Sequence, residues 1–217
     1  MIVGVDEAGV GCLAGPLVIA AVCVKEGTEF PQSVTDSKRM SETAREEAID
    51  SIYSLSEYVV VVVSPVELIN RHTNIWGAWN EAMTAVLTEC VRRQHKSIIV
   101  DGTRIVSGFG GVKYEAKADL NYRQVSAASV VAKYVQTCAM EDLHDRWPFY
   151  EFNRHHGYGT ASHMRALREY GPCGAHRTGY KPVVEAMTAI AEDEPDRVRR
   201  LRQLDMTAVL DVRIVGG

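Results

Sequence analysis

No apolar run in this chain of 217 residues is long enough to span a bilayer. Its N-terminus has neither the basic flank nor the small-residue cleavage site of a signal peptide. The five cysteines (Cys12, Cys23, Cys90, Cys138 and Cys173) are scattered, odd in number and never form a C-x-x-C pair. That spacing argues against a disulfide framework and a cysteine-rich zinc site, and predicts reduced thiols, mostly core filler, in a cytoplasmic protein. No G-x-x-x-x-G-K-[ST] loop occurs, which disfavours P-loop nucleotide chemistry. Basic residues are not in excess: 24 Lys and Arg against 28 Asp and Glu leave a net charge of −4. A broad surface that coats DNA regardless of sequence is therefore not expected. A nucleic-acid partner stays open if divalent cations neutralise clustered acids and the basic residues gather on one face. Internal repeats and low-complexity tracts are also missing.

What is present reads as one domain with a small appendage. Hydrophobic content of 46% and charged content of 24% are ordinary for a globular chain, and 217 residues suffice for a full core. Apolar or β-branched runs predict strands over 1–5, 17–24, 58–63, 98–100 and 112–116, the third carrying five consecutive valines. Helical spacing predicts helices over 42–54, with Ser41 as N-cap, and over 65–71, 73–93, 122–145, 162–170 and 182–192. The helix at 122–145 opens with Ser126, Ala127, Ala128, Ser129 and Ala132, small enough to pack close to a sheet. Residues 147–160 read as an ordered loop, and 209–215 as a strand or a loose segment. The first three strands lie too close together for crossover helices between them, so the sheet is expected to be mixed.

Acids fall where such a sheet places chemistry. Asp6 and Glu7 follow the first strand, directly before Gly9 and Gly11, where backbone can approach a ligand. Asp101 ends the strand at 98–100, and Asp119 precedes the long helix, near the positive end of its dipole. Neighbouring strand residues point to opposite faces, so Glu7 joins Asp6 only if the chain leaves the strand at that point. Four gathered carboxylates stay ionised together only around cations. Hard oxygen donors select Mg²⁺ or Mn²⁺, and a pair of such ions suits phosphoryl displacement.

The motifs occur in a recognisable order. Asp6-Glu7-Ala8-Gly9-x-Gly11-x-Leu13-Ala14-Gly15-Pro16-Leu17 resembles the opening of the ribonuclease HII family. Asp36-Ser37-Lys38, Asp101-Gly102, Lys117-Ala118-Asp119 and Ser126-Ala127-Ala128-Ser129-Val130-Val131-Ala132-Lys133 match in order, as do His155-His156-Gly157-Tyr158-Gly159-Thr160 and Tyr170-Gly171-Pro172-Cys173-x-x-His176-Arg177. The resemblance covers residues 1–185. It implies a ribonuclease H-like α/β fold, a mixed five-stranded sheet flanked by helices, with 186–217 as a C-terminal helical extension. The implied activity is metal-dependent cleavage of RNA in RNA–DNA hybrids, and incision 5′ to ribonucleotides embedded in duplex DNA, leaving 3′-hydroxyl and 5′-phosphate ends.

By the same resemblance, Asp6, Glu7, Asp101 and Asp119 are the metal-binding and catalytic acids, served by Mg²⁺ or Mn²⁺, two ions during catalysis. The family's Gly-Arg-Gly turn, which reads the 2′-hydroxyl, falls on Gly9, Val10 and Gly11. Tyr158 takes the place of the sugar-stacking tyrosine, and Lys38 that of a phosphate contact. A monomer without membrane attachment is expected. Three positions depart from the family pattern: Val10 replaces arginine, Thr137 a common aspartate and His156 a frequent lysine. The alternatives are a weakened relative that binds hybrids without turnover, or a nuclease of this fold with another nucleic-acid substrate.

Other features have plainer readings. Trp76, Trp79 and Trp147 are expected as packing aromatics. His155, His156, His163 and His176 lack zinc spacing. Lys133 reads equally as a phosphate contact or a solvated residue. Arg197, Arg199, Arg200 and Arg202 read as a solvated helix face, with duplex contact as the weaker alternative.

Overall fold

A computed structural model describes residues 1–31, 34, 40–65, 74–95 and 97–193. The expected helix at 65–71, the turn with Lys38, the arginines at 197–202 and the segment 209–215 lie outside these residues, Pro65 apart.

Five strands form one mixed sheet in the order β3-β2-β1-β4-β5. They are β1 (Ile2–Ala8), β2 (Leu17–Val24), β3 (Glu57–Val63), β4 (Ser97–Asp101) and β5 (Val112–Glu115). β1, β2 and β3 pair antiparallel, whereas β4 runs parallel to both β1 and β5. The expected mixed sheet is thus present. The helices are α1 (Glu42–Leu55), α2 (Ile75–Arg92), α3 (Ala118–Asn121), α4 (Arg123–Arg146), α5 (Phe152–His155), α6 (Ala161–Tyr170) and α7 (Lys181–Asp193), with a 3₁₀ turn at Pro148–Tyr150. Ser41 caps α1 as expected, its hydroxyl accepting from the Ala44 N–H at 3.2 Å. The domain boundary expected at 185 falls inside α7.

Two sequence expectations change in detail. Residues 147–160 hold a 3₁₀ turn and a helical turn, because Glu151 and His156 adopt left-handed backbone that reverses the chain at each end of α5. Asp119 belongs to its own short helix, α3, separated from α4 by the extended backbone of Tyr122.

The sheet separates two cores. Val3, Val5, Leu17 and Ile19 face Trp79, Met83 and Leu87 of α2. Val18, Ala20 and Val22 face Ile49 and Ile52 of α1 and Ala127 and Val131 of α4. Each fully buried valine contributes about 1.5–3 kcal/mol, so the valine run of β3 anchors the sheet edge. α4 sits unusually close to β1: a Cβ on Gly4 would collide with the backbone of Gln124 and Val125. The small residues at the start of α4 permit that approach, which brings the helix to the acid-bearing end of β1.

Candidate active site

β1 is longer than its apolar run. Its ladder with β4 stops at Val5–Val100, but its ladder with β2 continues through Asp6–Ala20, Glu7–Ile19 and Ala8–Val18. Both acids therefore remain in the strand, and alternation sends them to opposite faces. Asp6 turns toward α4, where it is buried and hydrogen-bonds the Ser129 side chain. Glu7 turns toward α2 and lines a cleft with Trp76, Trp79 and Asp101. The condition that would let Glu7 join Asp6, departure from the strand, is not met before Ala8.

Asp101 ends β4 one step beyond the Val5–Val100 pair, beside Asp6. Its Oδ1 accepts from the Ala118 N–H at 2.7 Å, tying the strand end to α3 and so to Asp119. Asp119 is buried in the first turn of α3. Asp6 Oδ1 accepts from the Glu7 N–H at 2.7 Å. Burial, followed by the nearby charges of Glu7 and Asp101, pushes the Asp6 carboxyl well above the usual carboxylate range; the Glu7 N–H and Ser129 oppose this more weakly.

As the side chains stand, no group of three or more acids, histidines or cysteines among the described residues is arranged to hold an ion. The donor chemistry nevertheless fits a hard divalent cation. The four candidates offer only carboxylate oxygens, and the strain on ionised Asp6 is the kind that a cation relieves.

The turn after β1 is built from behind. Gly9 has φ +87°, and a Cβ there would strike the Pro16 carbonyl. Arg177, almost fully buried, donates from Nε to the Gly15 carbonyl (3.0 Å), from Nη1 to Val10 (3.2 Å) and from Nη2 to Pro16 (2.9 Å). Tyr180 adds a hydroxyl bond to the Val10 carbonyl at 2.6 Å. The Val10 side chain packs against the α2-side core. Tyr158 stands across the turn: its Cε1 would lie 3.8 Å from a Cβ on Gly11, ordinary contact with room to spare. The Lys133 ammonium is 5.8 Å from the Tyr158 ring centre and donates to Gln136 Oε1 at 2.7 Å.

Tyr158 is held through its own backbone. Its carbonyl bonds His163 Nδ1 at 2.9 Å, and His163 Nε2 meets His176 Nε2 at 3.1 Å. The Cys173 N–H donates to His176 Nδ1 at 3.0 Å. These contacts fix both rings as neutral tautomers, with His176 Nε2–H donating to His163 and His163 Nδ1–H donating to Tyr158. His155 stacks on His163 at 4.2 Å.

The structure thus gathers Asp6, Glu7 and Asp101 at one end of the sheet, ties Asp101 to Ala118, the residue before Asp119, and sets Gly9–Gly11 opposite Tyr158. Ser129, Arg177 and Tyr180 are supporting residues that spacing did not single out. Only the collinear blocks around the serine–alanine helix and His176-Arg177 hinted at the first two.

Acids at the ends of adjacent parallel strands, backed by a long helix on a 3-2-1-4-5 mixed sheet, define the ribonuclease H-like class of α/β folds. The solved ribonuclease HII of Archaeoglobus fulgidus, in its complex with PCNA, superposes with a TM-score of 0.73 at 28% identity, covering 86% of this chain and 96% of that one. The ribonuclease H2 of Pyrococcus horikoshii has the same fold (TM-score 0.67, 24% identity), covering 92% of this chain and 99% of that one. The family model for ribonuclease HII matches residues 3–183. The ribonuclease HII of Geotalea uraniireducens is 40% identical over 185 residues, 85% of this chain and 84% of that protein. That of Pseudothermotoga lettingae is 37% identical over 188 residues, 86% of this chain and 80% of that protein. The chain belongs to the ribonuclease HII family, and is accordingly a metal-dependent ribonuclease, a hydrolase of phosphodiester bonds.

Proposed function

We propose that this enzyme cleaves the RNA strand of RNA–DNA hybrids and incises 5′ to ribonucleotides embedded in duplex DNA, leaving 3′-hydroxyl and 5′-phosphate ends. One observation carries the reading: Asp6 and Asp101 lie just past the last pair of the parallel β1–β4 ladder, beside a glycine turn that faces Tyr158. Asp6, Glu7, Asp101 and Asp119 would hold Mg²⁺ or Mn²⁺, two ions during turnover, which supply charge stabilisation for the attacking and leaving oxygens.

The protein's own groups position the substrate. Backbone amides of Gly9–Gly11 hydrogen-bond the 2′-hydroxyl, the atom that separates RNA from DNA locally. The Tyr158 ring packs under the next sugar, where a second 2′-hydroxyl would crowd it. Arg177 keeps the turn from collapsing away from the strand. Ser129 and the Glu7 N–H hold Asp6 in one orientation. Lys133 steadies the Tyr158 side of the cleft, and Lys38 contacts a phosphate. The catalytic unit spans residues 1–185 and acts as a cytoplasmic monomer, with 186–217 as an extension. Among the described residues, no helix is long and apolar enough to cross a membrane.

The test pairs two substrates, a full hybrid and a duplex with one ribonucleotide, each with Mg²⁺ or Mn²⁺. Cleavage of both, lost in Asp101→Asn, is expected; cleavage of neither sinks the reading. The packing of Val10 into the core, where the family's arginine is missing, favours one second reading: binding of hybrids without turnover. Cleavage that vanishes in Asp101→Asn rules that out.

A further inference from the structure

The cleft on the α2 side of the sheet has a volume of about 590 Å³. Glu7 and Asp101 line it, and Trp76, Trp79, Arg104 and Ile105 add an aromatic and basic wall. Arg104 lies in the loop after β4, three residues beyond Asp101. Its guanidinium carbon sits 3.9 Å from the centre of the Trp76 ring and 5.9 Å from that of Trp79. The two indoles meet edge to face at 6.5 Å. Trp79 is buried and fixes the pair, whereas Trp76 is 43% exposed and Ile105 is 71% exposed. The expectation that Trp76 is a packing aromatic is therefore only half met.

Arg104 is oddly placed for a structural arginine. Two carboxylates line its cleft, yet among the described residues it forms no ion pair with either. It lies over an indole instead. Stacking restrains the planar guanidinium while leaving its N–H donors at the edge available. A restrained guanidinium that pairs with no carboxylate among the described residues is suited to a phosphate, which it can grip with two parallel bonds. A free nucleotide brings several charges toward Glu7 and Asp101 and gains little from a single cation. A strand whose neighbouring phosphate already sits at the acids has its next phosphates placed by covalent geometry within reach of this wall. An exposed indole beside a phosphate clamp is the usual partner for a sugar or a base face.

We propose that Arg104, stacked on Trp76, binds a phosphate of the nucleic-acid strand next to the reacting phosphodiester, with Trp76 packing on the adjoining sugar or base. This rests on the hybrid-cleaving function proposed above, and extends the substrate site to the α2 side. Arg104 and Trp76 are affinity determinants; the chemistry stays with the acids.

The experiment has a binding arm that does not depend on turnover. The full chain is titrated with a fluorescently labelled duplex containing one ribonucleotide, in EDTA, at several salt concentrations. Arg104→Ala is expected to weaken binding about five- to tenfold, and to reduce the slope of log affinity against log salt by about 0.9, the value of one phosphate contact. Arg104→Lys recovers the slope but only part of the affinity, because an ammonium keeps the charge and loses the stack. Quenching of tryptophan fluorescence on binding falls in Trp76→Phe, which is conservative enough to fold. In turnover, Arg104→Ala raises KM and leaves kcat within about twofold. Unchanged affinity and salt slope in Arg104→Ala, with wild-type melting, overturn the proposal even if cleavage is normal. Weakened binding with a reduced slope supports it even if the wild-type protein cleaves neither substrate, in which case the catalytic reading alone fails.

Discussion

Arg177 reaches the Val10 carbonyl, 3.2 Å from its Nη1, across 167 positions of sequence. With its bonds to Gly15 and Pro16, one side chain clamps both ends of the loop that follows β1. The guanidinium is buried, and it donates to backbone carbonyls and to the Tyr180 hydroxyl. Arg177→Ala strands the Gly15 and Pro16 carbonyls and leaves Val10 to the Tyr180 hydroxyl alone, so it is expected to cost about 2 kcal/mol or more, since each buried unsatisfied group costs about 1–3. Arg177→Lys, which cannot reproduce the fork, falls between. Urea unfolding measures both, and an Arg177→Ala protein as stable as wild type contradicts the clamp.

Gly9 and Gly11 separate by function. Gly9→Ala must hold φ near +87° and push its methyl into the Pro16 carbonyl, so it is expected to destabilise by about 1–3 kcal/mol. Gly11 has no such constraint, and its added methyl meets only the Tyr158 ring at ordinary distance. Gly11→Ala should melt close to wild type yet lose about tenfold in kcat/KM, because the methyl occupies the space where the sugar is proposed to lie. Melting curves and cleavage kinetics on the same two variants check the split. Equal melting temperatures would remove the distinction.

Asp6 is expected to destabilise the metal-free protein. Its folded-state pKa is raised, chiefly by burial and then by Glu7 and Asp101. The folded state therefore binds a proton more tightly than the unfolded one, and stability falls as pH rises through the window above the usual carboxylate value. Asp6→Asn keeps an oxygen for the Glu7 N–H and removes the charge. In EDTA at neutral pH it should melt higher than wild type, by about 2–4 °C for each kcal/mol relieved. Mg²⁺ or Mn²⁺ is expected to raise the melting point of the wild-type protein, and Asp6→Asn should lose that rise along with its activity. A lower melting point for Asp6→Asn in EDTA counts against a strained carboxylate.

The buried histidines set an acid limit. Burial, the largest cause in each case, lowers His163 to about 4 and His176 to about 3. Their network has room for neutral rings only, so between pH 6.5 and these values the unfolded chain binds the extra protons. Stability present above pH 6.5 is lost as pH falls, at roughly 1.4 kcal/mol per pH unit for each histidine that gains a proton on unfolding. Because His163 holds the Tyr158 carbonyl, the Tyr158 side of the site should loosen first. Chemical denaturation from pH 7 to 4.5 reads the slope; a flat profile would show that the rings tolerate charge.

Much of the architecture was legible from local pattern. The valine run, the apolar stretches before Asp6 and Asp101, the Ser41 cap and the small residues of α4 each reflect an interaction between near neighbours or a close packing need. Their signals survive in one dimension. The antiparallel start of the sheet followed from loops too short for crossovers, and the order of the motif blocks pointed to the family.

Other features depended on pairings distant in sequence. Whether Glu7 shares a face with Asp6 is decided by β2, whose ladder carries β1 past Val5 to Ala8. Helical periodicity places Trp76 near the buried stripe of α2, but only the loop after β4 opens a cleft at that edge and lays Arg104 over the ring. Arg177 takes its carbonyl partners from more than 160 residues away, and His163 meets His176 from the next segment, 13 residues on; a lone arginine or histidine carries no local mark of that. The sequence by itself determined which residues could form strands, caps and an acid cluster, because those preferences are local. Tertiary structure decided which faces the acids take and what holds the glycine turn, because strand register and buried polar partners are settled only when distant segments pack.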